Sequence, residues 1–202
     1  MLLSGRDNIV VIEPHPDDGF LGLFHTLRHF WHKVILITLT NGESNFYTEK
    51  ISGQKAVERA LETKSFLEKY KVYRHYSFDM GDGKIVPNQV RNMIENTLPW
   101  YIKDFDPIFF APSRFDSHID HRSVNAAIKF FDFKTAYYCI DDPPIEIYES
   151  FWKNYLSPWQ GKIKLEEFRE IYPSQYNELR HSRHKGFAKR FKYEMLSEHI
   201  GV

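Results

Sequence analysis

Two short segments of the chain combine histidines and aspartates in a way that suits metal chemistry. They are PHPDD at 14–18, which follows the apolar run IVVI and Glu13, and SRFDSHIDHRS at 113–123. Their candidate side chains are His15, Asp17, Asp18, Asp116, His118, Asp120 and His121. Two imidazoles and a carboxylate suit a transition metal such as zinc, and further carboxylates or imidazoles nearby can act as base, orienting group or acid. These residue types and their spacing therefore predict a metal-dependent hydrolytic site.

The first segment alone has a simpler interpretation. Two prolines stiffen the turn after the apolar run, and Asp17 or Asp18 would cap a following helix well. PHPDD could thus be a polar turn without chemistry. If the fold places a second loop rich in His and Asp next to PHPDD, the two loops are hard to explain as merely solvent-exposed polar turns.

The pattern along the chain indicates how the two loops could meet. Strands are predicted at 8–13, 33–40, 72–79, 107–113 and 134–140, and helices at 19–31, 53–70, 88–104 (kinked at Pro99) and 119–131. This alternation predicts an α/β fold with a mainly parallel sheet covered on both faces. The carboxyl ends of parallel strands share one edge, where ligands bind in such sheets. The loops after the first and fourth strands should therefore lie side by side.

Smaller features complete the organisation. The apolar positions of the 53–70 helix are Val57, Ala60, Leu61 and Leu67. Residues 1–202 are expected to form a single domain, with an α/β core at 1–141 and a C-terminal segment at 142–202 that packs on it. A charged helical tail is predicted at 177–198.

Composition limits the classes of function. Lys+Arg and Asp+Glu both number 27, so the formal net charge is zero and no basic field indicates a nucleic-acid partner. One cysteine, Cys139, excludes an internal disulfide or a Cys-rich zinc site, and its apolar surroundings predict burial. We expect a cytoplasmic protein with no membrane span, because no signal-peptide pattern or long apolar run is present. Self-association into a homo-oligomer stays open.

Together these motifs resemble the LmbE/PIG-L de-N-acetylase family. PHPDD and HIDH at 118–121 carry the resemblance, and ITLTNGE (37–43), MGDGKI (80–85) and YPSQ (172–175) extend it. Lys55 and Glu58 match a basic residue and a glutamate three apart on the second helix, with lysine where arginine is commoner. The resemblance implies a Rossmann-like three-layer sandwich. It also implies zinc-dependent hydrolysis of the acetamide of an N-acetylglucosamine compound, although another divalent transition metal could serve.

The resemblance also implies roles for individual residues. His15, Asp18 and His121 would hold the metal, and Asp17 would be the general base. His118 would stabilise or protonate the tetrahedral intermediate, with Asp120 orienting a histidine. Arg114, Asp116 and Lys55 are candidates for substrate contact.

One departure from the family pattern affects the pocket. The family usually continues PHPDDE with a run near Gly-Gly-Thr, whereas this chain has Gly19 and then Gly-Leu-Phe-His-Thr at 22–26. We therefore expect a bulkier pocket floor that lacks an acidic residue.

Three alternatives stay open. One is a non-catalytic family member that binds metal or sugar, and another is a related amidase acting on a non-sugar acyl amide. The third is a non-haem Fe(II) oxygenase, which also uses two His and one carboxylate.

Overall fold

A seven-stranded sheet in the order β3-β2-β1-β4-β5-β7-β6 forms the centre of the computed structural model, which describes residues 3, 8–43, 52–140, 152–181 and 189–198. The strands are β1 (Ile9–Glu13), β2 (Val34–Thr38), β3 (Arg74–Ser77), β4 (Ile108–Pro112), β5 (Thr135–Cys139), β6 (Trp152–Tyr155) and β7 (Tyr193–Glu198). Strand β1 pairs in parallel with β2 and β4, and the same direction continues to β3 and β5. The predicted mainly parallel α/β sheet is confirmed.

Helices cover both faces of this sheet. They are α1 (Asp18–Leu23), α2 (Ser52–Tyr70), α3 (Pro87–Thr97), α4 (Pro99–Phe105), α5 (Ile119–Ile128), α6 (Pro158–Ile171) and α7 (Pro173–His181). The run IVVI is apolar throughout because alternate residues of β1 face opposite layers. Ile9 and Val11 belong to a core with Phe20, while Val10 and Ile12 belong to a second core on the other face.

Two predicted helices are shorter than expected. The helix predicted at 19–31 ends at Leu23 and continues as turns. The segment predicted as one kinked helix at 88–104 is two helices, α3 and α4. The break falls at Leu98, directly before Pro99, because a residue that precedes proline is disfavoured in helical conformation.

In the first half of α2, apolar side chains are exposed and charged side chains are buried, which is the opposite of the expected pattern. Val57 and Leu61 are each 60% exposed, whereas Arg59 and Glu62 are almost fully buried. Farther along, Phe66 packs in the core in the ordinary way. The buried face of α2 thus carries charged groups where it approaches the loop after β1.

The C-terminal residues extend the sheet. The predicted helical tail at 177–198 is wrong for its last part, because β7 pairs antiparallel with β5 and β6 pairs antiparallel with β7. Residues 182–188 lie outside the described part of the chain.

A buried ion pair fixes these C-terminal elements to the end of α1. Lys164 Nζ on α6 donates to Leu21 O at 2.6 Å and to Glu194 Oε1 on β7 at 3.1 Å. Glu194 also accepts from the backbone amides of His25 and Thr26.

Two further predictions concern single features. Cys139 is buried on β5, as its apolar surroundings indicated. Within the described residues, no helix has the length and apolar character needed to cross a membrane.

Candidate metal centre

The loops after β1 and β4 meet at the carboxyl edge of the parallel strands, in agreement with the predicted convergence. The ring centroids of His15 and His118 are 4.6 Å apart, and those of His15 and His121 are 5.5 Å apart. His15 lies in the first loop, while His118 caps α5 and His121 lies in its first turn. The parallel order of the two strands therefore brings together residues about a hundred positions apart.

The PHPDD segment forms a tight turn that folds one carboxylate back over its own backbone. The amides of Asp17 and Asp18 donate to His15 O at 2.8 and 3.2 Å. The amide of His15 in turn donates to Asp18 Oδ2 at 2.8 Å. Asp18 is thereby fixed against His15 at the start of α1.

One oxygen of Asp18 lies between two imidazoles. Asp18 Oδ2 is 3.1 Å from His15 Nδ1 and 3.1 Å from His121 Nε2. These three atoms, from the three residues implied as ligands, converge on one small volume.

The remote nitrogen of each of these two histidines lies against other carboxylates. His15 Nε2 is 3.1 Å from Asp82 Oδ1 and 3.3 Å from Asp120 Oδ2. His121 Nδ1 is 3.0 Å from Asp116 Oδ2, without the alignment of a directed hydrogen bond. Metal-binding histidines commonly place their second nitrogen against a carboxylate in this way, which fixes the ring and its tautomer.

The electrostatics of the cluster favour added positive charge. Burial alone would lower the pKa of His121, but Asp116 and Asp18 raise it to about 10. The pKa of His15 is likewise raised well above its usual value by Asp18 and Asp120 against the effect of burial. The same pairing outweighs burial and holds the pKa of Asp18 well below its usual range. Such a donor set fits a divalent cation.

Other nitrogen and oxygen donors surround the same volume. One group of ligand atoms within 4.8 Å of one another comes from His15, His118 and His121. A second such group among the described residues comes from His15, Asp82, His118 and Asp120. Asp82 belongs to the MGDGKI turn, so that motif indicated its position although our predicted site did not include it.

His118 lies at the exposed side of the cluster and its ring orientation is fixed by the backbone. The amide of Asp120 donates to His118 Nδ1 at 3.2 Å. In the neutral ring Nε2 therefore carries the proton and is available as a donor. Partial burial, together with the charges of His15 and His121, lowers the pKa of His118 and favours this neutral form.

Asp120 joins three parts of the centre. Its carboxylate accepts from the amides of Gly83 at 2.7 Å and Ile85 at 3.1 Å, in addition to facing His15 Nε2. It therefore connects the turn that carries Asp82 to the histidine of the first loop.

Asp17 points to a different environment from Asp18. Its Oδ1 pairs with Arg59 Nη2 at 2.7 Å, and Arg59 Nη1 is 3.5 Å from Glu62 Oε2. Glu62 then accepts from the amide and hydroxyl of Ser174 at 2.7 and 2.9 Å. A buried chain of contacts thus runs from the first loop through α2 to YPSQ.

The pair on α2 that contacts Asp17 and Ser174 is not the pair that we matched to the family pattern. We matched Lys55 and Glu58, whereas Arg59 and Glu62 are the basic and acidic residues that contact Asp17 and Ser174. The signal was present, because the spacing Arg-x-x-Glu recurs one turn later with the arginine that the resemblance leads one to expect. Lys55 is buried on the same helix.

Two other candidates for substrate contact lie on the loop after β4. Asp116 is buried, and its carboxylate accepts from the amides of His118 and Ile140 while facing His121. Its contact with substrate stays a prediction, and its position against Nδ1 suits a group that orients the His121 ring. Arg114 is exposed, with its guanidinium carbon 4.5 Å from the centre of the Phe115 ring.

Most of the residues that depart from the family pattern are buried in the structure. Leu23 and Phe24 pack in the hydrophobic core. The region also keeps an acidic group, because the carboxylate of Glu13 lies 2.9 Å from the amide nitrogen of Gly19. Burial raises the pKa of Glu13 to about 8.

Together these features define an α/β protein with a candidate divalent-metal centre at the carboxyl edge of its sheet. The model of the GlcNAc-PI de-N-acetylase family, PIG-L, matches residues 10–130, more than half of the chain. The chain therefore belongs to the PIG-L family.

Known relatives agree with this assignment. The diacetylchitobiose deacetylase of Thermococcus kodakarensis is 28% identical over an alignment of 123 residues, which covers 56% of this chain and 45% of the relative. The chain thus spans less than half the length of that curated relative.

Solved structures share the fold. The N,N'-diacetylchitobiose deacetylase of Pyrococcus horikoshii, in complex with its inhibitor MPG, has a TM-score of 0.64 at 20% identity over 95% of this chain and 83% of its own. The A40926 pseudoaglycone deacetylase Dbv21 has a TM-score of 0.65 at 14% identity over 96% of both chains.

Proposed function

We propose that the protein hydrolyses the acetamide of an N-acetylglucosamine-type compound and releases acetate and a free amine. The observation that carries the proposal is the convergence of His15 Nδ1 and His121 Nε2 on Asp18 Oδ2, beside a second aspartate anchored on Arg59. Membership of the PIG-L family and the curated diacetylchitobiose deacetylase relative support the substrate class.

His15, Asp18 and His121 would hold the metal, for which zinc suits two imidazoles and one carboxylate. A bound divalent ion supplies Lewis acidity, which polarises an amide carbonyl and lowers the pKa of water. Asp120 and Asp116 orient His15 and His121 through their remote nitrogens.

Asp17 is the proposed general base. Because Arg59 holds Oδ1 at 2.7 Å, the carboxylate keeps one orientation and can accept a proton from the water that attacks the acetamide carbon. The same carboxyl group can return that proton to the amine nitrogen when the C–N bond breaks. One water is consumed, and the products are acetate and the amine.

His118 is the proposed stabiliser of the tetrahedral intermediate. Its Nδ1 accepts from the backbone, so Nε2–H can donate to the carbonyl oxygen as negative charge develops there. Asp82 stands next to His15 and is a candidate contact for hydroxyl groups of the sugar.

The test is acetate release from N,N'-diacetylchitobiose and from N-acetylglucosamine by the purified full chain, with zinc supplied. Acetate and free amine should appear in equal amounts, stop after chelation and return with metal. Asp17→Asn, with its metal content measured, is the control for a contaminating activity.

Three outcomes would contradict parts of the proposal. Unchanged turnover after complete metal removal would exclude the metal role. Turnover of a non-sugar N-acetyl amide, with none for the sugars, would indicate the amidase alternative. Binding of metal and sugar without acetate release would indicate a non-catalytic protein.

A further inference from the structure

Glu13, the last residue of β1, makes buried contacts that the proposed mechanism does not use. Its carboxyl group accepts from the amide of Gly19 at 2.9 Å and from the hydroxyl of Thr38 at 2.7 Å. Thr38 Oγ1 also lies 2.9 Å from His75 Nε2. The two oxygens of Glu13 thus connect the start of α1 to the neighbouring strand β2.

The contact with Gly19 supplies the cap that α1 otherwise lacks. The first amides of a helix have no partner within the helix, and a side-chain oxygen just before the helix commonly accepts from one of them. Asp17 occupies the N-cap position of α1 but makes no such side-chain bond. Glu13 satisfies the amide of Gly19, the second residue of the helix, from the preceding strand.

The contact between Glu13 and the start of α1 requires a residue without a side chain at position 19. A Cβ atom at this position would lie 2.9 Å from Glu13 Oε2, closer than real Cβ contacts. Because the carboxylate is buried and bonded on both sides, it cannot move away without losing the bond to Gly19 N. Position 19 can therefore carry a side chain only if the Glu13 side chain moves away.

We propose that Glu13 is a positioning residue of the metal loop. By capping α1 from β1 it fixes the first turn, which begins with Asp18, the carboxylate that lies 3.1 Å from both His15 and His121. Its effect on metal binding rests on the proposed function, whereas its coupling to Gly19 does not.

The first experiment compares Glu13→Ala with Glu13→Gln. Cobalt(II) is titrated into each full-length variant and followed by its visible absorption, which reports ligand geometry. Groups that orient metal ligands typically change affinity by about 10- to 100-fold, so Glu13→Ala should weaken cobalt binding by about that factor. Glu13→Gln keeps an oxygen for Gly19 N and should stay within about threefold of the wild type, because the orienting contact is retained.

A matched control separates positioning from loss of stability. Leu98→Ala removes a fully buried side chain in the second core, at the junction of α3 and α4, and destabilises the fold at a position outside the metal loop. It should bind cobalt as the wild type does. Equal cobalt affinity in Glu13→Ala and the wild type would overturn the positioning role.

The second experiment needs no metal. In the wild type, Gly19→Ala should raise the unfolding equilibrium constant, because the new Cβ displaces the carboxylate. In the Glu13→Ala background the same change should lower it by about threefold to fivefold, since alanine is the better helix former. Gly53→Ala is the control, because Gly53 is the second residue of α2 and a Cβ there meets nothing within 4 Å.

Together the two experiments distinguish a failure of the proposed function from a failure of the proposed cap. If the wild type takes up no cobalt, the proposed function fails, and the sign reversal at Gly19 still tests the cap. If Gly19→Ala has the same effect in both backgrounds, the cap and the coupling are wrong whatever the metal result.

Discussion

The buried arginine of α2 gives a demanding test of the site, because it lies between two carboxylates. Arg59 Nη2 pairs with Asp17 Oδ1 at 2.7 Å, and Nη1 is 3.5 Å from Glu62 Oε2. Burial would lower the pKa of Arg59, but the two carboxylates hold it above its usual value. Arg59→Met keeps an unbranched apolar stem and removes the guanidinium group with its charge.

The expected loss is large because the partners stay buried. Removing one member of a buried ion pair typically costs about 3 to 5 kcal/mol of unfolding free energy, since it leaves an uncompensated charge. The matched control is Arg91→Met, which breaks the exposed Arg91–Glu95 pair of α3 (2.9 Å). Exposed pairs contribute about 0 to 1 kcal/mol. The two variants should therefore differ by at least about 2 kcal/mol in urea unfolding.

The deficit should also depend on pH. Burial raises the pKa of Glu62, and the charge of Arg59 opposes that rise. Without the arginine the folded-state pKa moves further above the unfolded value of about 4.3. A carboxyl group shifted in this direction favours the folded state at low pH and opposes it as pH rises through and above the unfolded value. Because the unfolded value is common to both proteins, the deficit of Arg59→Met should grow as pH rises from below the raised folded-state pKa of Glu62 in the wild type toward about pH 7.

The reasoning would be refuted by a small loss that does not change with pH. If Arg59→Met stayed within about 1 kcal/mol of Arg91→Met across that range, the Asp17–Arg59 contact would not be a buried ion pair of ordinary strength. Acetate release measured on folded Arg59→Met reports separately on the orientation of Asp17.

Two further predictions concern neighbouring positions. Asp18→Asn should lose metal and activity together. Asp17→Asn should keep its metal but lose about 10²- to 10⁴-fold in kcat, and the reverse pattern would exchange their roles. Gly42 has φ +64° and a Cβ there would lie 2.8 Å from Arg59 Nε, whereas Gly83 has φ +74° and open space. Gly42→Ala should therefore cost at least about 1 kcal/mol more than Gly83→Ala in urea unfolding, and equal losses would contradict the close contact.

The sequence was sufficient to predict that the two loops of the candidate site converge. IVVI and PIFFAPS are apolar enough to indicate two buried strands. Two parallel strands of one sheet have their carboxyl ends at the same edge. Strands β1 and β4 are direct neighbours, with Val10 opposite Phe109. The positions of His15 and His121 therefore followed from elementary sheet geometry.

The inward face of α2 could not be predicted from periodicity. That rule assigns apolar residues to the core, yet Val57 and Leu61 are exposed while Arg59 is buried. Arg59 is stabilised there by Asp17, which lies 42 residues earlier in the chain. Helical periodicity carries no information on such a distant partner.

The C-terminal strand was missed for a related reason. Its sequence, YEMLSE, has two acidic residues and no strong β pattern. Glu194 is nevertheless buried, because Lys164 and the amides of His25 and Thr26 meet its carboxylate. Tertiary partners again outweigh local preference.

The two adjacent aspartates differ because different parts of the fold hold them. Asp18 begins α1, whose second amide is bonded to Glu13 on β1, so its position depends on the sheet. Asp17 is bonded to α2 and, through Glu62, to Ser174 near the C-terminus. A displacement of α2 would therefore move the anchor of Asp17 without moving that of Asp18. This separation suits the proposed roles, in which Asp18 is a metal ligand and Asp17 is the general base.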